Sequence, residues 1–190
     1  MADQYIELFG TSAQMHTDDL DLIARHLSIR TGAVLDVGCG PGHLTAHLCS
    51  LGVDATGMDL VPEFVDHARA AHPDGRYELG SMCQLPVPDG ALAGMLAWYS
   101  LIHLPPDDLD PVLTELRRVM ATGGPLVAGF FDGDENLGFE HKVVAAYFWP
   151  VDEFSERLRR AGFTEIERRQ RPGDTPAEGR AHAAVVAVAS

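Results

Sequence analysis

The stretch Ala33-Val34-Leu35-Asp36-Val37-Gly38-Cys39-Gly40-Pro41-Gly42 decides how the chain is read. Its first half, Ala33 to Val37, is an apolar, β-branched run of strand length. Three glycines at alternate positions then open a segment of helical character, His43 to Ser50. Strand, tight turn and helix start follow one another directly. Glycine in such a turn permits positive φ and leaves no Cβ between the backbone and a ligand. The helix behind it offers unpaired N–H groups and a partial positive end. An anionic or carbonyl-rich ligand suits that position.

Spacing narrows the ligand. A dinucleotide fingerprint runs G-x-G-x-x-G, its third small residue letting the helix pack on the strand. Here the glycines run G-x-G-x-G, His43 takes the third place, and Asp36 stands two residues before the first glycine. The pattern Asp-x-Gly-x-Gly-x-Gly resembles the first motif of class I S-adenosylmethionine (SAM)-dependent methyltransferases. The resemblance implies that Asp36, Gly38, Cys39, Gly40, Gly42 and His43 surround the methionine portion of SAM, with S-adenosylhomocysteine as the product. A glycine-rich turn without a ligand is the plainer alternative.

Composition bounds the rest. At 190 residues, positions 1–190 read as one domain large enough to bury a core, and the formal net charge is −14. A surface so acidic repels phosphate backbones, so nucleic acid is not expected as a substrate. No signal-peptide pattern opens the chain, and no apolar run nears the ~20 residues that span a bilayer. The expectation is a cytoplasmic protein without membrane contact, monomer or homodimer. Cys39, Cys49 and Cys83 lack C-x-x-C spacing, so reduced thiols are expected rather than disulfides or a metal site.

Along the chain, residues 1–30 form a helical segment, around Tyr5 to Phe9 and from Asp18 to Ser28, with Asp18 and Asp19 matching the helix dipole of the second. In the family an aromatic residue of this prelude often closes over SAM. Tyr5 is the matching candidate, with core packing as its alternative. After helix His43–Ser50 a strand Asp54–Met58 ends at Asp59, ~20 residues beyond the glycine loop's start, where such folds put a carboxylate on the ribose hydroxyls. A partial cap of the helix Val61–Ala71 is the plainer alternative for Asp59. A short strand Arg76–Leu79 precedes Gly80-Ser81-Met82-Cys83-Gln84-Leu85-Pro86. This looks like the family's adenine loop, with Leu60 after Asp59 on the same rim. Ser81 replaces the usual acid, and Met82 would lie on the adenine face or fill a core gap.

Ala91 to Tyr99 reads as a central strand buried on both faces. Ligands of an open parallel sheet sit beyond the strands' carboxyl ends where the strand order reverses, so Trp98, Tyr99 and His103 should line the floor shared by cofactor and substrate, with Trp98 and Tyr99 on the cofactor. A helix Leu109–Met120, a strand Pro125–Phe131, a helix Pro150–Ala161 and an antiparallel pair Thr164–Gln170 and Ala181–Val188 complete the chain. The arginines at 157–160 and 168–171 are expected on solvated faces. The resemblance and the alternation together imply an α/β, Rossmann-like, seven-stranded mostly parallel sheet with helices on both faces and a C-terminal antiparallel hairpin. Residues 132–149 correspond to an insert that commonly forms part of a substrate lid.

The implied chemistry is methyl transfer from SAM to a small-molecule acceptor, O or N, by in-line displacement. His103 is the candidate base, with a loop anchor as its alternative. Tyr99, His103, Asp132 and His141 are expected to face the acceptor. His43 and His47 stand i, i+4, but no further ligand accompanies them, so no metal is expected. Three other readings stay open: a SAM-binding domain whose chemistry is not methyl transfer or which binds a partner, a nicotinamide oxidoreductase, and a nucleic-acid methyltransferase.

Overall fold

In the computed structural model, residues 15–141, 144–173 and 180–190 are described. The expected helix around Tyr5, and Tyr5 itself, lie outside them. Helix α1 (Thr17–Leu27) leads into strand β1 (Val34–Val37), whose four residues are all buried, and through the glycine turn into α2 (His43–Ser50). The alternation continues with β2 (Ala55–Asp59), α3 (Pro62–Ala71), β3 (Arg76–Leu79) and β4 (Gly94–Trp98). A single 3-10 turn, Leu101–His103, then leads to α4 (Pro106–Val119), with Pro106 in its first turn and Asp107 and Asp108 against its positive end. After β5 (Pro125–Phe131) come β6 (Gly138–His141), β7 (Val144–Tyr147), α5 (Val151–Arg160), β8 (Phe163–Arg171) and β9 (His182–Ala189).

Seven strands form one sheet in the order β3-β2-β1-β4-β5-β9-β8. The β1 to β5 pairings are parallel, and β9 runs antiparallel to both β5 and β8. The hairpin read from the sequence is therefore present, with its second strand inserted between β5 and β8. Continuous apolar runs explain the central strands: β5 and β9 are buried on both faces, whereas β8, at the edge, alternates between exposed and half-buried after Phe163. A register shift between Glu165 and Glu167 leaves Ile166 exposed on that edge.

Two apolar layers sandwich the sheet. Leu22, Ile23 and Leu27 of α1 and Leu44 and Leu48 of α2 pack on Val34, Leu96, Val127 and Val186. On the other face α4 and α5 bring Leu109, Leu113, Leu116, Phe154 and Leu158 against Leu35, Met95, Leu126 and Val185. The strand order reverses between β1 and β4, so their carboxyl ends border the crevice where ligands of such sheets sit.

The arginines are not simply solvated. Arg171 pairs with buried Asp19, and Arg157 joins Glu153, Asp110 and the ring of Trp149. Residues 132–149 contain the two-stranded antiparallel ribbon β6–β7, with Gly138 opposite Tyr147 and His141 opposite Val144.

Candidate functional site

Gly38, Gly40 and Gly42 all have positive φ, at 72°, 52° and 85°. Side-chain-bearing residues avoid this region, so the turn needs glycine for its conformation. At Gly38 it also needs the space, because a Cβ there would lie 2.3 Å from Cβ of Ser100, at the end of β4. The amides of Gly38 and Cys39 both donate to the Met58 carbonyl, at 2.7 and 3.0 Å, which pins the turn to β2. Gly40 donates to Asp59 Oδ2 at 2.8 Å, and Val61 donates to Asp59 Oδ1 at 2.9 Å. Asp59 thus braces the glycine turn and holds the amide of Val61, the residue before α3. Each carboxylate oxygen keeps a second lone pair that can accept from a ligand hydroxyl.

Other motif residues face away from the crevice. Asp36 is fully buried between β1 and α2 and accepts from Thr45 Oγ1 at 2.6 Å. Burial pushes its carboxyl up to about 7; the Thr45 bond opposes that and the charge of Asp59 adds to it. Cys39 packs with Val65, Ala68 and Tyr77, and burial raises its thiol far above the ordinary range, so it behaves as an apolar wedge. Burial and the neighbouring His72 push the His43 imidazole down to about 4, and its buried Nδ1 has no hydrogen-bond partner.

On the rim beside β2 and β3, Leu60 and Leu79 expose most of their surface. The Ser81 hydroxyl accepts from the Cys83 amide at 3.2 Å and closes the turn over 81–84. Met82 packs against the core, its Cε 3.5 Å from where a Gly38 Cβ would stand, so it walls the same crevice. Across the crevice, Ser100 is buried and its Oγ has no partner. A buried unpaired hydroxyl costs about 1–3 kcal/mol. Trp98 turns onto the α1 side of the sheet, covering Gly129.

Tyr99 is the one non-glycine residue with positive φ among the described residues, at 54°. Its ring lies 4.7 Å from that of Phe131, and its hydroxyl is 2.5 Å from His182 Nδ1. Phe131, Phe139 and Phe148 form an aromatic wall beyond it, with the Arg180 guanidinium 4.2 Å from the Phe139 ring centroid. His103 Nδ1 lies 3.0 Å from the Ala145 carbonyl, tying the 3-10 turn to β7. Asp132, at the end of β5, accepts from Gln170 at 2.8 Å. His141 ends β6, and the placement of its side chain lies outside the described structure. Tyr99 and Asp132 thus flank the same end of the sheet, whereas Asp36 and Cys39 are structural supports.

The sequence does not mark His182 or Asp19 as site residues. His182 opens a strand that otherwise reads as apolar, and only its register opposite Phe131 brings it beside Tyr99. Asp19 looks like a helix-dipole acid, yet it is buried and held by both guanidinium nitrogens of Arg171, at 3.1 and 2.9 Å. Among the described residues no cluster of three His, Cys, Asp or Glu could hold a metal ion.

Comparison with known proteins agrees with this architecture. The family model described as a methyltransferase domain matches residues 34–124. A malonyl-[acyl-carrier protein] O-methyltransferase of Erwinia billingiae is 32% identical over 154 residues, 77% of this chain and 59% of the relative. The chain thus spans under two thirds of the length of the first curated relatives it matches. A SAM-dependent methyltransferase structure from Methanosarcina mazei superposes with a TM-score of 0.79 at 18% identity, covering 88% of this chain and 96% of that one. The 1,6-didemethyltoxoflavin-N1-methyltransferase of Burkholderia thailandensis, solved with its substrate and S-adenosylhomocysteine, gives 0.75 at 24%, covering 92% and 77%. At these identities the two structures speak for the fold alone. Glycine turn and strand order agree with these matches, and residues 34–124 carry a domain of the methyltransferase family.

Proposed function

We propose that the chain transfers the methyl group of SAM to a small-molecule acceptor, through oxygen or nitrogen. The observation that carries this reading is the union of three positive-φ glycines with Asp59, whose carboxylate holds Gly40 at the reversal of strand order. The residues fit the cofactor. The unpartnered Ser100 Oγ beside Gly38 offers a hydrogen bond to its amino-acid end. Asp59 has lone pairs for the ribose, and Leu60, Leu79, Ser81 and Met82 form a mostly apolar rim for the adenine. When bound, SAM supplies an activated methyl group on a sulfonium. The protein's part is to hold the acceptor atom in line with that methyl, which supplies most of the rate effect in such displacements.

Tyr99, Asp132 and the aromatic wall line the acceptor side in this reading, and the flat rings of Phe131, Phe139 and Phe148 favour a planar acceptor. Residues 132–149 form its cover, and His103 orients that cover through Ala145. The test is calorimetric titration of SAM into the protein and into Asp59→Ala, followed by transfer from methyl-labelled SAM to phenols, carboxylic acids and amines. Binding that weakens tenfold or more in the variant, together with label in one acceptor class, supports the function. Unaltered affinity in Asp59→Ala, or none in the parent chain, removes it; tight binding without transfer leaves a SAM-binding domain of other chemistry.

A further inference from the structure

Four polar side chains from four elements meet at the acceptor end of the sheet, and none of them belongs to the glycine motif. Asp19 of α1 and His182 of β9 are over nine-tenths buried. Tyr99 follows β4, and Arg171 closes β8. The Tyr99 hydroxyl meets His182 Nδ1 at 2.5 Å, and His182 Nε2 lies 3.4 Å from Asp19 Oδ1, within ion-pair range although not aligned as a hydrogen bond. Arg171 grips both oxygens of Asp19. The Trp98 ring, 5.5 Å away, adds an apolar side to His182. A tyrosine at positive φ and an ionisable pair taken out of water both cost free energy, and such costs concentrate where a protein uses the geometry.

We propose that Tyr99, His182 and Asp19 form a proton relay for the acceptor: Tyr99 touches it as the catalytic group, and His182 and Asp19 are its positioning partners. The proposal rests on the methyl-transfer reading above. The carboxylate of Asp19 sets the tautomer, drawing the imidazole hydrogen to Nε2 and leaving Nδ1 to accept from the Tyr99 hydroxyl. The lone pairs on the Tyr99 oxygen then face an incoming hydroxyl or amine. As the acceptor heteroatom bonds to the methyl carbon, the carbon–sulfur bond breaks and its electron pair stays on sulfur. The acceptor's proton passes to the Tyr99 oxygen while Tyr99's own proton passes to His182 Nδ1. The imidazolium so formed faces Asp19, which stays ionised.

The surrounding charges favour this direction. Burial would raise the Asp19 carboxyl, but the close approach of His182 and the hydrogen bonds from Arg171 outweigh it and hold the group well below the carboxylate range. Burial, with the charge of Asp19 adding and that of Arg171 opposing, lifts the Tyr99 phenol above its ordinary value, so it stays neutral until a proton is handed on. A base of this kind contributes roughly 10²–10⁴ in rate.

The experiment uses the ¹⁵N-labelled full chain as wild type, Tyr99→Phe and His182→Gln. Two-bond ¹H–¹⁵N spectra should show His182 as the Nε2–H tautomer, with the Nδ1 resonance moving in Tyr99→Phe. Transfer from methyl-labelled SAM to whichever phenol, acid or amine accepts it should fall at least tenfold in kcat in both variants, with KM for SAM unchanged. Glutamine can still bond Tyr99 but cannot take a proton, so His182→Gln should lose as much kcat as Tyr99→Phe does. An Nδ1–H tautomer, or wild-type kcat in His182→Gln, overturns the relay. Absence of transfer to every acceptor in the wild type counts against the function itself, and the tautomer then decides the relay alone.

Discussion

Asp36 stands where the motif puts an acid, but its carboxyl is enclosed between β1 and α2 with Thr45 as its partner. Its titration follows from the enclosure. The folded chain raises Asp36 from 3.8 to about 7, so between those values the native state holds a proton that the unfolded chain has released. The stabilisation is complete below about pH 4 and is lost as pH climbs through 7. Urea unfolding of wild type and Asp36→Asn should therefore diverge over pH 4–7, wild type losing up to about 1.4 kcal/mol per pH unit relative to the variant. Parallel curves would mean that the carboxyl stays hydrated. Gly38→Ala makes a second case. The 2.3 Å approach to Ser100 and the positive φ both oppose it, and denaturation with loss of SAM affinity is expected. The sequence reveals these glycines through spacing alone. It cannot reveal which way Asp36 points, because one strand residue's direction depends on the layer packed over it.

At the scale of elements, the regular pieces were legible because their hydrophobic periods are clean. Leu109, Val112, Leu113, Leu116 and Val119 all turn inward on α4 as their spacing requires. The insert was harder. Its ribbon β6–β7 is held by contacts from distant segments, among them His103 to Ala145 and Asn136 to Glu153 at 2.7 Å. Cutting one tie should loosen the ribbon without melting the sheet. His103→Ala is expected to raise KM for the acceptor several-fold, to leave the SAM dissociation constant unaltered, and to speed amide exchange in residues 144–147. Equal losses in SAM affinity and acceptor KM would place His103 in the cofactor pocket instead.

For the whole molecule, charge decides the response to acid. Glu167 of β8 reaches across to Arg25 and His26 of α1, so one carboxylate joins the edge strand to the first helix. Hydrogen bonding from Arg25, set against burial and helped by His26, lowers it to about 2. That depressed value adds stability above the ordinary carboxylate range, and the gain drains away as pH falls towards 2. Glu167→Gln should accordingly lower the denaturant midpoint at pH 7 and converge with wild type near pH 2. Because the pair is partly solvent-exposed, the difference should also shrink in high salt.

The seven strands of the main sheet and its antiparallel ending were readable from the alternation of elements, but the position of β9 was not, since pairing partners far apart in the chain leave no local signature. That position has a kinetic consequence. The segment following every other strand in the chain fills a slot in the middle of the sheet, so until it arrives β5 and β8 both present open, unpaired borders. A nascent or truncated polypeptide lacking residues beyond 181 leaves exposed the borders of β5 and β8 that β9 covers in the finished sheet, and self-association through them is the hazard that its synthesis must outrun.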